Sequence, residues 1–423
     1  MRSVKTIALI AGAGFFFLAV FIQGIIPYLF KEIRIQKVTK VVRTSLGTLQ
    51  ELKADPLPYD GVIEKGRRIY IREGCWYCHS MYIRPLQSEV IRWGPLSEFG
   101  EYSYDLPHLF GTRRIGPDLT RIGGKYGDDW HIAHFFNPRM IVPDSIMPRF
   151  TWFFKKDTNG RYVLNDDGKA ILAFIQSRGL SKGRWRDEFP YQTFLQGSSS
   201  VQSRLSIENG KMVYLRRCAG CHGEKGDGKG EASNFFAIKP RDFTSGTYKF
   251  RSTPSGSLPL DGDLYRTVSA GIRGTAMPAW YVLSEQERWD VINYIKSFYP
   301  DFKTTPPDQP IFIPQPPSPT EEMVKKGRRV FEELKCWECH GSEGRGDGEK
   351  ANTLKDDWDN PIKPTDFTKG IFKSGSRPED LYRTIMTGLN GTPMPSYIDS
   401  IQAMNEDPWA LVYYILSLSA DKP

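Results

Sequence analysis

Three copies of the string Cys-x-x-Cys-His, at Cys75/Cys78/His79, Cys218/Cys221/His222 and Cys336/Cys339/His340, account for all six cysteines of the chain. Nothing is left to build a disulfide. Two cysteines three apart on a helical turn can each form a thioether to one porphyrin, and the histidine that follows then faces the iron. A thiol redox pair or a zinc knuckle uses the same letters, but zinc asks for four ligands and each string offers three with no second pair nearby. The strings therefore predict three covalently bound haem c groups, with His79, His222 and His340 as iron ligands. A length of 423 residues leaves room for a separate domain around each string.

The sequence around the strings repeats. EKGRRIYIREGCWYCH (64–79) aligns without a gap on KKGRRVFEELKCWECH (325–340). The second and third strings share more: IKPRDF (238–243) with IKPTDF (362–367), DLYRT (263–267) with DLYRT (380–384), and AMPAW (276–280) with PMPSY (393–397). Two copies of one domain are predicted, 206–299 and 320–423, joined by 300–319, whose eight prolines read as a semi-rigid spacer. A serine-rich join at Gly197–Ser203 separates them from a first domain over 31–200. Ser318, Pro319 and Glu321 supply the start of a helix on which Met323, Gly327, Val330, Phe331 and Leu334 keep helical spacing. Ser284 with Glu287 opens another, carrying Val291, Ile295 and Phe298. Alternation of period two is scarce, so few and short strands are expected.

Between Lys5 and Lys31 there is no charge. Residues 6–30 would make about 37 Å of helix against a hydrocarbon core of roughly 30 Å. The run is too long for a signal peptide and no small-x-small site follows Phe30, so it is expected to stay as an anchor, residues 1–30. Arg2 and Lys5 precede it and Lys31, Arg34, Lys37, Lys40 and Arg43 follow, which by the positive-inside rule would keep the bulk of the chain in the cytoplasm. Haem c is attached on the outer face of the bacterial cytoplasmic membrane, and long domains translocate largely regardless of flanking charge, so the haem domains are expected outside. The net charge of +8 lies mostly near the membrane and suits lipid headgroups or an acidic partner. Without a basic stripe interleaved with stacking aromatics it does not point to nucleic acid.

The opposite axial ligand of such an iron is usually Met or His. Met277 and Met394 lie at matching distances after His222 and His340, each before a proline. In the first domain Met147, also before proline, is preferred over Met140, His108, His131 and His134. His131 and His134 sit three apart on a short helix after Asp128, and with no cysteine or glutamate to complete a metal site they are expected on its surface. A proline carbonyl commonly accepts the proximal imidazole proton, and Pro117, Pro240 and Pro364 are placed for it. Arg113 and Arg114 are candidate partners of the haem propionates.

Residues 66–150, with IREGCWYCHS, IRP, GPDL, GGKY and MP in order, resemble the membrane-anchored monohaem c subunit of cbb-type haem-copper cytochrome c oxidases. The likeness covers roughly residues 7–180, and residues 206–419 resemble two class I cytochrome c domains. It implies an all-α chain, one N-terminal transmembrane helix followed by three class I cytochrome c domains. It implies that His79 and Met147 ligate a haem and that the chain rests on a polytopic haem-copper catalytic subunit. Two departures stand out: Met81-Tyr82 replaces the family's Gln-Met, and Gln23 and Gly24 near Pro27 stand where the family has a membrane acid. The expected function is electron transfer from a soluble cytochrome c or a quinol-oxidising complex to the oxidase, with no catalysis by the chain alone. A haem-copper nitric oxide reductase is the alternative acceptor, and a peroxidase is disfavoured by three candidate methionine ligands. The joins predict that electrons reach the C-terminal pair first and leave through the first haem.

Overall fold

The computed structural model describes residues 2–188 and 205–420, and the Gly197–Ser203 join lies outside them. Helix α1 (Ser3–Leu29) is the one helix among the described residues long and apolar enough to cross a membrane. Pro27 lacks the N–H that would bond one turn back, and the turn before it, Phe21–Ile25, is widened into a π-turn that absorbs the mismatch. The hairpin β1 (Val38–Arg43) and β2 (Leu49–Ala54) follows, antiparallel, with Val38 opposite Ala54 and Arg43 opposite Leu49.

The first domain then contains α2 (Gly61–Arg72), α3 (Asp128–Phe136), the short pair β3 (Phe154–Lys156) and β4 (Tyr162–Leu164), and α4 (Asp166–Ser177). The second contains α5 (Ile207–Arg217), α6 (Asp261–Ala270) and α7 (Glu285–Lys296). The third contains α8 (Glu321–Glu333), α9 (Pro378–Thr387) and α10 (Pro408–Leu418). The architecture is mostly helical and the strands are few.

All three domains are built on one crossing, α2 on α4, α5 on α7 and α8 on α10. A glycine makes each possible. A Cβ on Gly66 would lie 1.9 Å from the Ala170 carbonyl oxygen, one on Gly210 2.0 Å from that of Asp290, and one on Gly327 1.9 Å from that of Ala410. The helices therefore touch backbone to backbone, and each Cys-x-x-Cys-His string leaves the first helix of its pair at a fixed angle. Both members of every pair start on a side-chain cap, Asp60 and Asn165, Ser206 and Ser284, Thr320 and Asp407, each contributing about 1 kcal/mol. Thr320, whose hydroxyl accepts from Met323 N at 3.2 Å, is the cap of α8 in place of Ser318. The Tyr413 hydroxyl donates to the Pro317 carbonyl and holds the chain extended past Ser318.

The proline-rich stretch is not a free spacer. Ile311 N donates to Ser252 O at 2.8 Å, and Ile311 and Ile313 pack on the third core. Nor does it hold the third domain far from the membrane side, because a Cβ on Gly47 of the first hairpin would lie 3.1 Å from Leu416 of α10. Asp187 joins all three domains. Its carboxylate meets Arg43 at 3.1 Å, Arg273 of the second domain, and the Ser376 hydroxyl of the third at 2.7 Å. Burial alone would raise this carboxyl; Arg273, Ser376 and Arg43 hold it below the ordinary value.

Candidate haem sites

Each string is pinned by a loop that returns over it. In the first domain Gly116 N donates to Cys78 O at 3.0 Å and Leu119 N to Ser80 O at 2.8 Å, which sets the Pro117 carbonyl 2.8 Å from His79 Nδ1. A carbonyl can only accept, so Nδ1 carries the proton and Nε2 keeps its lone pair for iron. The second and third domains do the same one residue later than expected: His222 Nδ1 donates to Arg241 O at 3.0 Å and His340 Nδ1 to Thr365 O at 3.1 Å, not to Pro240 or Pro364. There Phe243 N bonds Gly226 O and Phe367 N bonds Gly344 O, both at 2.7 Å. That register turns the Pro240 and Pro364 carbonyls toward the glycine loop, 2.8 and 2.9 Å from where Cβ atoms on Gly228 and Gly346 would stand. It also stacks Phe243 on His222 at 4.6 Å and Phe367 on His340 at 4.3 Å. Burial lowers all three imidazoles, His222 to about 4, so each is neutral, the form that binds a metal.

The two cysteines of a string are placed differently. Cys75, Cys218 and Cys336 each pack on the core of their own domain. Cys339, expected as an attachment point on a par with Cys336, does not join the third core and is half-buried beside the glycine loop. Its backbone holds it there: Cys339 N donates to Cys336 O at 3.3 Å, and Gly348 N donates to Cys339 O at 3.2 Å. The approach is close because Gly348 has no side chain, a Cβ on it standing 2.3 Å from Glu338 O. The spacing thus brings Cys339 onto the same turn as His340, while Cys336 is the one of the pair that packs on the third core.

The three methionine loops share a device that the sequence did not advertise. Thr275 Oγ1 accepts from Met277 N at 3.1 Å, Thr392 Oγ1 from Met394 N at 3.3 Å, and Ser145 Oγ from Met147 N at 3.2 Å. The hydroxyl two residues ahead fixes the backbone from which the sulfur is presented. Met147 packs on the first core, as do Cys75 and Trp76. In the second domain a cavity of about 170 Å³ brings Cys218, Cys221, His222 and Met277 together on mostly apolar walls.

These residues fit a haem c. Tyr248 lines that cavity, and its buried hydroxyl has no partner among the described residues, as a group reserved for a polar edge of a ligand would be. Burial pushes the Cys75, Cys218, Cys221 and Cys336 thiols up to about 12, an environment for neutral thioethers rather than thiolates.

Other expectations are redirected. Arg114 is committed within the protein: its guanidinium donates to Ser80 Oγ and Tyr82 O, both at 2.7 Å, pairs with Glu89, and lies 4.5 Å over Trp93. Arg113 is exposed. His131 is not on a surface but 3% exposed, and His134 is half-buried with its ring 4.6 Å from Trp130 in a parallel stack. His131 lies among rings of its own domain, 5.9 Å from Tyr126 and 6.3 Å from Phe135 of the first core, while the second domain covers another side of α3. Trp130, Ala133, Met140 and Ile141 form one core with Ala232, Phe236 and Ala276. Gly127 N donates to Thr275 O at 2.9 Å, and a Cβ on Gly220, inside the second string, would lie 1.9 Å from Met140 O. Ile141 lines the second cavity and so does Lys373 of the third domain. Lys249 and Lys373 occupy the same place in the two repeats, a signal the repeat alignment held.

The description Cytochrome C oxidase, mono-heme subunit/FixO matches residues 15–173, and Cytochrome c matches 207–298 and 324–419. The Cbb3-type cytochrome c oxidase subunit FixP of Azorhizobium caulinodans is 25% identical over 201 residues, 46% of this chain and 54% of the relative. This is a cbb3-oxidase-related cytochrome c fused to two further cytochrome c domains. The chain spans about half the length of that curated relative. A chain of the reducing HAO-like protein complex of Kuenenia stuttgartiensis is 46% identical, covering 51% of this chain and 97% of its own, with a TM-score of 0.49. The matched segments, with α1 before them, describe cytochrome c domains that follow a helix long and apolar enough to anchor the chain in a membrane.

Proposed function

We propose that this cbb3-related cytochrome carries three covalently attached haem c groups on the outer face of a bacterial cytoplasmic membrane. It passes electrons from a soluble cytochrome c or a quinol-oxidising complex to the catalytic subunit of a cbb-type haem-copper oxidase. The observation that carries this reading is the threefold recurrence of one holder, a histidine bonded through Nδ1 to a loop carbonyl and a methionine set by a hydroxyl two residues before it. Cys75/Cys78, Cys218/Cys221 and Cys336/Cys339 would attach the groups, with His79/Met147, His222/Met277 and His340/Met394 on the irons. A bound haem c supplies one-electron chemistry at iron, and a methionine ligand raises its potential. The carbonyl bonds strengthen the imidazole donors, the apolar walls exclude water, and two strong axial ligands leave no open position for a peroxide. The FixO-like domain, tied to α1 by about 30 residues, is the side that meets the catalytic subunit.

Pyridine haemochrome analysis of the membrane-extracted chain is expected to give three haems per polypeptide. Purification of the native complex is expected to bring down a haem-copper oxidase subunit. Two haems or fewer would overturn the cofactor assignment, and a nitric oxide reductase subunit in the complex would overturn the acceptor.

A further inference from the structure

The second and third domains meet at one small cleft lined by equivalent residues of the two repeats, Lys249 with Lys373 and Arg266 with Arg383, together with Arg251. Charge is not balanced there. Asp263 pairs with Arg266 at 2.8 Å and Asp380 with Arg383 at 3.1 Å, one carboxylate for each repeat. Arg251, 1% exposed, donates to the carbonyls of Pro254 at 3.0 Å, Tyr248 at 3.4 Å and Thr387 at 2.7 Å, which satisfies its N–H groups without neutralising its charge. Lys249 and Lys373 have no carboxylate within 4 Å among the described residues. Burial, aided by Arg241 and Lys373 and only partly opposed by the more distant Asp356 and Asp357, pushes Lys249 down to about 8, and burial lowers Lys373. Like charges gathered out of water are strongly unfavourable unless an anion joins them. The cleft is continuous with the second cofactor cavity, since both lysines line both spaces beside Thr267. Tyr248, whose buried hydroxyl has no partner among the described residues, lines the second of these spaces.

We propose that Lys373, a residue of the third domain, holds a carboxylate of the porphyrin bound in the second domain, making the cleft between the two domains an anion seat shared across their interface. The inference rests on the haem-binding reading above. Lys249 and the Tyr248 hydroxyl complete the seat from the second domain. The cation reaches its partner only when the domains are docked, so the third domain sets the redox poise of the second. A positive charge at this edge favours the ferrous over the ferric state, and removing it shifts the balance toward ferric.

Lys373→Met in the full membrane-extracted chain, followed by spectroelectrochemical titration, tests this. The reduction equilibrium of one haem is expected to move three- to tenfold toward the ferric form, tenfold being about 59 mV for one electron. Lys373→Arg is expected to restore it. The haem affected is expected to be the one whose near-infrared ferric band is lost in Met277→Leu. Lys369→Met, an exposed lysine of the same domain, makes the same charge change as a control. Should Lys373→Met lower the haem content, Lys373→Gln takes its place with the same expectation. A shift no larger than that of Lys369→Met would overturn the proposal. So would a shift confined to the haem assigned by Met394→Leu. A wild-type potential that follows inorganic phosphate at fixed ionic strength would instead place a free anion in the cleft, and would equally overturn it. The titration needs no oxidase, so its result and that of the complex purification are independent.

Discussion

At the scale of single residues the first site differs from the other two in how it is braced. Glu89 is nearly buried and is held at about 2 by hydrogen bonds from Arg114 and Arg84. The unfolded value is near 4.5, so the native state binds fewer protons between the two. Stability is complete above about pH 4.5 and is lost as pH falls toward 2, by an amount on the order of 2 kcal/mol. In Glu89→Gln, thermal unfolding followed from pH 7 to 2.5 is expected to lose that slope, while the variant is less stable at pH 7 because Arg114 is left without its counter-charge. At the methionines, Met147→Leu is expected to remove about a third of the near-infrared ferric His/Met band and lower one potential, leaving three haems attached. An unchanged band would move that ligand to Met140 or a histidine.

At the scale of elements two glycines carry opposite kinds of information. Gly210 sits where α5 crosses α7, and a methyl group there meets the Asp290 carbonyl at 2.0 Å, a backbone atom that cannot swing aside. Gly210→Ala is expected to cost about 1–3 kcal/mol by overpacking, read from chemical denaturation of the whole chain. Gly220 lies inside a haem string, yet the equivalent positions hold Tyr77 and Glu338, so attachment does not require glycine there. What requires it is the Met140 carbonyl of the first domain at 1.9 Å. Gly220→Glu is therefore expected to keep all three haems but loosen the first domain from the second, seen as faster hydrogen exchange over residues 127–141.

At the scale of the molecule the domains form one packed body rather than beads on a chain. Asp187 is the hub, a 6% exposed carboxylate between Arg43 and Arg273 with Ser376 against it. Asp187→Ala leaves two arginines facing each other at the junction and is expected to cost about 3–5 kcal/mol. The matching measurement is small-angle scattering in detergent, where the radius of gyration is expected to rise as the third domain swings off the hairpin β1–β2. Docking also decides electronic behaviour, because residues of the first and third domains line the second cavity.

The sequence by itself determined the parts that depend on short-range geometry. Cysteine spacing pointed to the cofactor type, the repeat to two related domains, the charge-free run to a long apolar helix, and Ser284 with Glu287 to a helix start. Each of these is a local pattern whose chemistry is complete within a few residues. The choice of Arg241 and Thr365 over Pro240 and Pro364 was not legible, because it follows from a loop register fixed by distant glycine carbonyls. The unequal packing of Cys336 and Cys339 was hidden as well, since their spacing matches the other strings and only the surrounding core tells them apart. The burial of His131 was not legible either, since α3 reads as a surface helix until the first core closes on one side of it and the second domain on another. Arg114 shows the same limit: its partners are Ser80, Tyr82 and Glu89, residues brought to it only by the returning loop. Only the tertiary structure placed Lys373 in the wall of another domain's cavity, because charge acts through space and a linear pattern does not record which surfaces meet.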